Sequence, residues 1–279
     1  MIRNYLTVTL RTLRRYRTYS LLNITGLAVG LACGILIFLV VNFQLGFDQY
    51  HRKADRTYRI VTELRHEIVS YNRGTPKALA EVLRRDYPLI ETAARIKRVR
   101  SGMLSLPRPD DGFQQKFQED RAICFADPEL FNVFDFQWKT GSPSSSLTRP
   151  NSAVLTEKYA RKYFGDADPI GRVLRLDNQW NLTVTGVLKD HPVNTNLGDD
   201  VYISYSTLAG LSDEMAQSLR NWPDLDSEEM TYITLPETAA VEPVNAVFPA
   251  IARKYYNSED ARVYHFRLQP LTAVERCAF

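Results

Sequence analysis

The sequence predicts an α+β protein in which one N-terminal transmembrane helix precedes a large exported domain. Three observations predict this class. A long uncharged run lies near the start of the chain, two β-α-β patterns lie near the ends of the remainder, and short alternating strands dominate the segment between them. We therefore divide the chain into a cytoplasmic amphipathic helix at 1–20, a transmembrane helix at 21–47 and a periplasmic core domain at 48–279.

The uncharged run is long enough to cross a bilayer. No charged residue occurs between Arg17 and Asp48, and a helix rises about 1.5 Å per residue, so residues 21–45 exceed the roughly 30 Å hydrocarbon core. A cleavable signal peptide is the alternative. Its apolar region, however, is only about 7–15 residues long and ends at a small-x-small site, which the run from Asn42 to Gly46 does not offer. We expect retention as a membrane anchor.

The charges that flank this run predict its orientation. Residues 1–17 contain no acidic residue and carry five arginines: Arg3, Arg11, Arg14, Arg15 and Arg17. Positive charge beside a span stays in the cytoplasm, so the main domain is expected in the periplasm and the protein in a bacterial inner membrane. Apolar positions in 2–17 recur every three or four residues, which predicts an amphipathic helix at the inner interface.

The overall charge reflects this topology and not a polyanionic partner. The whole chain has a net charge of +3, but without the five N-terminal arginines 30 basic residues face 32 acidic residues, a net charge of −2. An exported part that is slightly acidic lacks the electrostatic basis for binding nucleic acid.

Three glycines in the span are the candidate functional residues. Gly26, Gly30 and Gly34 are spaced four apart, which places them on one helix face where another helix can approach closely. Polar residues in and beside the run, including Asn23 and Asn42, prefer protein neighbours to lipid. We predict that this face packs against other spans.

The exported part shows two β-α-β patterns separated by an insertion. Their strands and helices are expected at 57–64, 75–87, 94–99, 231–235, 241–256 and 261–269. Thr75 and Pro76 are expected as N-cap and first residue of the first helix. The simplest account is one split domain of ferredoxin-like type with halves at 48–100 and 231–272 and a mostly β insertion at 101–230.

The insertion has its own signals. Asp127 and Pro128 are expected to begin a short helix, and Thr156 to cap a helix that Gly165 ends. Strands are expected at 152–155, 173–176, 181–188 and 201–205. Residues 48–55 are expected to form a polar stem between the span and the first strand.

No catalytic, cofactor-binding or metal-binding residue is predicted, and we expect no enzyme activity. The sequence has no phosphate-cradling glycine loop, no G-x-S-x-G nucleophile elbow and no Cys or His pair with zinc-ligand spacing. The acidic pairs at 110–111 and 199–200 are expected in polar turns. Cys124 and Cys277 could form a disulfide or remain two unpaired small apolar residues. The four histidines are expected to be surface or hydrogen-bonded residues: His51, His66, His191 and His265.

Six stretches, in order, resemble the permease subunits of MacB/FtsX-type ABC transporters, specifically the N-terminal span and the periplasmic core domain. They are RNYLTVTLRTLRRYRTYSLLNITGLAVGLACGILI, FDQYHRKADRTYRI, ADPELFNVFDFQWKTGSP, NSAVLTEKYARKYFGDADPIGRVLRL, VTGVLKDHPVNTNLGDDVYIS and TYITLPE. The resemblance runs from residue 1 to about residue 272. Such permeases continue past a PLT-like segment, here residues 270–272, into further spans, whereas this sequence ends in AVERCAF. We therefore expect a truncated frame or a fragment.

The resemblance implies a transport function and its partners. A separate cytoplasmic ABC ATPase subunit would bind and hydrolyse ATP, so no cofactor is expected on this chain. A second permease copy would complete a dimer, with a periplasmic adaptor or outer-membrane duct as further partners. ATP hydrolysis would be coupled through the span to periplasmic movement, for efflux or force transmission. The alternative is a membrane-anchored periplasmic sensor or ligand-binding module, which also needs one span and an exported α+β domain.

Overall fold

The computed structural model describes residues 2–107 and 115–273. The chain divides into two compact units, Met1–Phe47 and Asp48–Phe279. The pair of acidic residues predicted in a polar turn at 110–111 and the cysteine at 277 lie outside the described residues.

The N-terminal unit consists of two helices. Helix α1 (Ile2–Arg15) ends with Arg14 and Arg15, and helix α2 (Arg17–Leu45) follows after a single interrupting residue, Tyr16. Of the described residues, α2 is the one helix that is long and apolar enough to cross a membrane. In the part of the chain that the structure describes, none of its 29 residues is buried.

The second unit, which we call the body, is built on one sheet. The strands of the described residues are β1 (Thr57–Arg65), β2 (Val69–Asn72), β3 (Thr92–Leu106), β4 (Gln115–Ala126), β5 (Trp138–Thr140), β6 (Ser152–Thr156), β7 (Val173–Leu176), β8 (Trp180–Leu188), β9 (Val201–Ser204), β10 (Glu229–Thr234) and β11 (Tyr264–Pro270). The helices are α3 (Leu79–Asp86), α4 (Leu130–Val133), α5 (Glu157–Phe164), α6 (Asp213–Ser218), α7 (Val241–Tyr255) and α8 (Asp260–Val263). This mixture of helix and strand behind one apolar helix confirms the α+β class.

The strand order shows how the two ends of the chain meet. The main path runs β11-β1-β10-β3-β4-β9-β6-β8-β5, with β2 beside β1 and β7 beside β3 and β8. Neighbours among β11, β1, β10 and β3 are antiparallel, whereas β4 with β9 and β6 with β8 are parallel. Strand β3 pairs with β10 through its first half and with β4 along residues 96–106. The predicted boundary at residue 100 therefore falls inside a strand that both parts share.

Three clusters of buried side chains fill the body. Helices α3 and α7 bury Leu79, Leu83, Phe248 and Ile251 against the β1 and β10 region. A second cluster surrounds α4 and β4, and a third lies around α5, β6 and β8. Because apolar burial stabilises a fold by roughly 25 cal/mol per Å², these clusters fix the sheet that carries the membrane-proximal segment described below.

Two predicted helix caps are wrong because their side chains are used elsewhere. The first helix begins at Leu79, not at Thr75, since the Thr75 hydroxyl lies 2.7 Å from that of Thr231 in the neighbouring strand. Asp127 does not cap α4 with its carboxylate, which receives the guanidinium groups of Arg95 and Arg84. Tertiary ion pairs and hydrogen bonds compete with local capping for the same oxygen atoms.

Two other local details also differ. Thr156 precedes α5 as predicted, but its hydroxyl donates to Asp200 at 2.8 Å and makes no cap hydrogen bond. The last strand starts at Tyr264 and not at residue 261, because α8 occupies the preceding residues. The Asn257 side chain accepts hydrogen bonds from the N–H groups of Glu259 and Asp260, which starts that helical turn.

Candidate functional site: the glycine face and the joint

The three predicted glycines lie on one face of α2. Gly26, Gly30 and Gly34 are all exposed, and a Cβ atom built at any of them would meet nothing within 4 Å. With about 100° of rotation per residue, the three positions span about 80° of the helix surface. The structure thus presents a flat strip of backbone on a helix whose surroundings are lipid or another helix.

The segment directly after the span, residues 48–56, packs against the rest of the body. We call this segment the joint. The sequence predicted a polar stem here. The segment is polar as predicted, and the structure adds that it is packed, because Asp48 has no exposed surface and His51 is only 3% exposed. The joint is a packed part of the body's surface and not a solvated tether.

Asp48 is the first residue of the joint and its most strongly held one. Its carboxylate accepts hydrogen bonds from the Thr195 hydroxyl at 2.7 Å, from the Asn196 backbone N–H at 3.0 Å and from Asn196 Nδ2 at 2.6 Å. Its own N–H donates to the carbonyl of Asn194 at 3.1 Å. Asp48 also has a φ of +56°, a left-handed conformation that costs a non-glycine residue energy. The hydrogen bonds offset that cost.

His51 is the second buried polar group of the joint. Its Nδ1 accepts a hydrogen bond from the Asp135 backbone N–H at 3.1 Å, and its ring lies 3.9 Å from that of Tyr50 and 5.0 Å from that of Phe134. Nε2 is buried without a hydrogen-bond partner among the described residues. Burial lowers the pKa of His51 to about 4, against the opposing effect of Asp48 and Asp135. The ring is therefore neutral at ordinary pH.

The rest of the joint is fixed by charged contacts. The Arg52 backbone N–H donates to Asp135 at 2.6 Å, and Lys53 Nζ donates to Glu91 at 2.8 Å. Arg56 also pairs with Glu91 and donates to the carbonyl of Leu235. The hydrogen bond from Lys53 holds the pKa of Glu91 below its usual value. The joint is thus tied to the turn before β3, the segment after α4 and the end of β10.

The partner of Asp48 is a loop, residues 189–200, which we call the clamp loop. Arg98 on β3 donates from Nε to both oxygens of Asp199, at 3.0 and 3.1 Å. Asp200 accepts from the Thr156 hydroxyl and lies 3.6 Å from His191, whose pKa the contact raises. Asp199 and Asp200 are buried and paired, so the prediction that they sit in a polar turn is wrong. These ion pairs connect the joint to the centre of the sheet.

The other residues weighed in the sequence are not brought together. His66 is exposed, His191 contacts Asp200 and His265 lies 3.0 Å from the carbonyl of Arg262. In residues 2–107 and 115–273, no group of three or more His, Cys, Asp or Glu side chains is placed to hold a metal ion. Cys124 is a free thiol and fully buried. The loop at 165–168 is a turn after α5, and Gly165 takes a φ of +61° there.

The sequence reasoning missed the most connected residue, Asp48, and its partners. The signal was present in two separate places. DQYH follows the span and is part of the expected polar stem, and VNTNLGDD lies in the middle of the chain and contains the acidic pair expected in a polar turn. Nothing local predicts that segments almost 150 residues apart share hydrogen bonds.

The described residues thus combine one helix that is long and apolar enough to cross a membrane with an α+β body. The sequence matches the family described as MacB-like periplasmic core domain over residues 20–251. The chain belongs to this family, which is a component of ABC transporter permeases. It is accordingly an inner-membrane protein whose main domain lies in the periplasm, which confirms the predicted family and location.

Solved structures show the same fold at low sequence identity. A domain described as part of a permease protein from Porphyromonas gingivalis is 20% identical, with a TM-score of 0.62 over 79% of this chain and 92% of that one. The periplasmic region of MacB from Actinobacillus actinomycetemcomitans is 13% identical, with a TM-score of 0.54 over 83% and 93% of the two chains. A search of curated proteins found no match.

Proposed function

We propose that this chain acts as a permease subunit of a MacB/FtsX-type ABC transporter. In this proposal, a separate cytoplasmic ATPase subunit binds and hydrolyses ATP, two permease copies form the dimer, and movement passes through α2 and the joint to the body. The output is efflux or force transmission to a periplasmic adaptor or outer-membrane duct. The family and the glycine face support the proposal.

The single observation that carries the proposal is the attachment of Asp48. A tether that only anchors a domain needs flexibility. Here, by contrast, Asp48, the first body residue after the span, is buried and has a left-handed backbone conformation. Its carboxylate binds the clamp loop. A displacement of residue 48 would therefore move the clamp loop and, through Arg98 and Asp199, strand β3. We also propose that β1-α3-β3 and β10-α7-β11 act as one rigid split β-α-β unit of ferredoxin-like type that receives this movement.

The first test is biochemical isolation. Cross-linking of the full chain in its native membrane, followed by mass spectrometry, is expected to recover an ABC ATPase subunit. The second test uses that complex with spin labels at Ile68→Cys in both copies, and ATP is expected to change the distance between the labels. Asp48→Ala should abolish this change while ATP hydrolysis continues, because the carboxylate that transmits the movement is gone.

The matched control is Asp166→Ala, since Asp166 lies exposed in the turn after α5. It should leave both hydrolysis and the distance change intact. An Asp48→Ala complex in which ATP still moves the bodies normally would contradict the coupling role of the joint. Failure to recover any ATPase subunit would contradict the transporter proposal as a whole.

The dimer is tested on the glycine face. Gly30→Leu is expected to weaken disulfide cross-linking between copies labelled within α2, because a bulky side chain prevents close helix approach. Ala28→Leu is the matched control, since residue 28 lies about 160° around the helix from the centre of the glycine face. Equal cross-linking in the two variants would rule out the glycine face as a packing surface.

A further inference from the structure

The tip of the clamp loop carries the most exposed large apolar side chain of the described body. Val193 is 86% exposed, and Pro192 beside it is also exposed. The residues that follow are not loose, because Asn194, Thr195 and Asn196 bind Asp48. A single exposed valine is common on protein surfaces, but this one lies at the tip of a loop whose following residues are held in place by Asp48.

Chain connectivity limits how far this tip can lie from the membrane. Asp48 follows three residues after Leu45, the last residue of α2, and three peptide units span at most about 11 Å. Asn194 accepts a hydrogen bond from the Asp48 N–H at 3.1 Å, and Val193 is its neighbour. With at most about 3.8 Å between successive Cα atoms, Val193 is a few residue lengths from the end of the span at any orientation of the helix.

The span also ends late enough to bring the joint to the lipid surface. Its 29 residues make a helix of about 43 Å, which is longer than the roughly 30 Å hydrocarbon core and comparable to a whole bilayer with its headgroups. The segment after Leu45 therefore emerges at the level of the lipid headgroups or just outside them.

Two side chains of the joint, which binds the clamp loop, have the chemistry of a membrane interface. Tyr50 is 38% exposed, and its hydroxyl lies 2.9 Å from that of Thr195 in the clamp loop. The Arg52 side chain is 88% exposed, with one contact to Asp135 at 3.4 Å. An aromatic ring with a polar end, a cation and a small apolar tip are the groups that proteins place at headgroup depth.

We propose that the clamp-loop tip, Pro192 and Val193, inserts into the headgroup region of the periplasmic leaflet, with Tyr50 beside it and Arg52 facing lipid phosphate. The occupant is phospholipid. The inference does not depend on the ATPase partner or on dimer formation. It gives the body a second attachment to the membrane in addition to the covalent one through α2.

The test uses the full chain reconstituted in liposomes of phosphatidylethanolamine and phosphatidylglycerol. Cys33 and Cys277 are replaced by alanine and serine, and a nitroxide label is attached at Val193→Cys. Label accessibility to oxygen, which concentrates in lipid, is compared with accessibility to a water-soluble nickel complex. Leu36→Cys in α2 is the lipid control, and Ile68→Cys, at an 81% exposed position in the β1–β2 turn, is the matched aqueous control.

The Val193 label is expected to show an oxygen-to-nickel accessibility ratio several-fold above that of the Ile68 label and below that of the Leu36 label. Val193 is a surface residue, so its replacement does not threaten folding. A ratio equal to that of Ile68 would overturn the proposal. An immobilised label that neither reagent reaches would also overturn it, because that result means a protein partner covers the tip.

Discussion

The N-terminal helices and the body use apolar residues in opposite ways. Helix α2 exposes every one of its side chains, including large ones such as Leu36 and Phe38. The body encloses its leucines, isoleucines and aromatic rings in three clusters. Residue type alone does not decide burial. The difference shows that α2 requires surroundings other than water, because an apolar surface of this length is stable only in lipid or against other helices.

The same contrast holds for charges. Residues 18–47 carry none, whereas the body buries several charges and places most of them in ion pairs. Asp127 has a side chain only 6% exposed, and it contacts Arg95 and Arg84 at 2.9 Å each. Burial alone would raise the pKa of Asp127, but the guanidinium of Arg95 holds it below the usual value. The body therefore depends on charge pairing in a way that the helical unit does not.

The largest expected effect comes from breaking this pairing. Asp127→Ala leaves the guanidinium of Arg95, a side chain only 12% exposed, without its main partner. Removing one member of a buried ion pair typically costs about 3–5 kcal/mol. Urea denaturation of the full chain in detergent, followed by tryptophan fluorescence, is expected to show a loss of this size in the free energy of unfolding.

The control for this variant is Glu157→Ala, which removes the partner of Lys139, an exposed side chain. Exposed pairs contribute only about 0–1 kcal/mol, so the unfolding midpoint should barely move. Equal losses in the free energy of unfolding for Asp127→Ala and Glu157→Ala would show that buried ion pairs stabilise the body no more than exposed ones.

A second prediction concerns the pH dependence of the joint. Burial lowers the pKa of His51 to about 4 in the folded body, from an ordinary value of 6.5. Between these values the unfolded chain binds the proton and the folded chain does not, so stability falls as the pH is lowered from 6.5 to 4. The integrated loss is on the order of 3 kcal/mol.

Replacing the ring tests the assignment. His51→Asn retains an acceptor for the Asp135 N–H but has no proton to bind, so the free energy of unfolding should vary less across this pH range. His66→Asn, at an exposed position, is the control and should keep the full pH dependence. An undiminished slope in His51→Asn would mean that other groups cause the acid loss.

Much of the fold could be predicted because its signals are local. The strands expected at 57–64, 173–176 and 181–188 correspond to β1, β7 and β8, and the helix expected at 75–87 contains α3. Strand β4 was missed. Its first half, from Gln115 to Arg121, is mostly polar and exposed, and it forms a strand because β3 pairs with it. Tertiary pairing overrides weak local propensity in such segments.

The candidate site likewise has one part that could be predicted from local sequence and one part that could not. The glycine face could be predicted because a helix fixes the positions of residues four apart. The joint could not, because its hydrogen bonds join Asp48 to residues 194–196 and Arg52 to Asp135. The sequence shows two polar segments, and only the folded sheet shows that they meet. Polarity alone predicted a polar stem, whereas the hydrogen bonds of the folded body bury Asp48 and His51 within it.

The smallest expected effect sharpens the contrast between the two units. Gly30→Leu adds a large side chain where a Cβ meets nothing within 4 Å, and leucine is a better helix former than glycine by about 1 kcal/mol. The free energy of unfolding of the body should therefore stay within about 0.5 kcal/mol of that of the unsubstituted protein. Gly74→Ala is the instructive counterpart, because its Cβ would lie 2.0 Å from the Asp226 carbonyl oxygen. The free energy of unfolding of Gly74→Ala should fall clearly.

A glycine in the body is required because neighbouring atoms leave no room for a side chain, whereas a glycine in α2 matters only when a second molecule packs against it. If Gly30→Leu destabilised the body as Gly74→Ala does, the two units could not be treated as folding in separate environments.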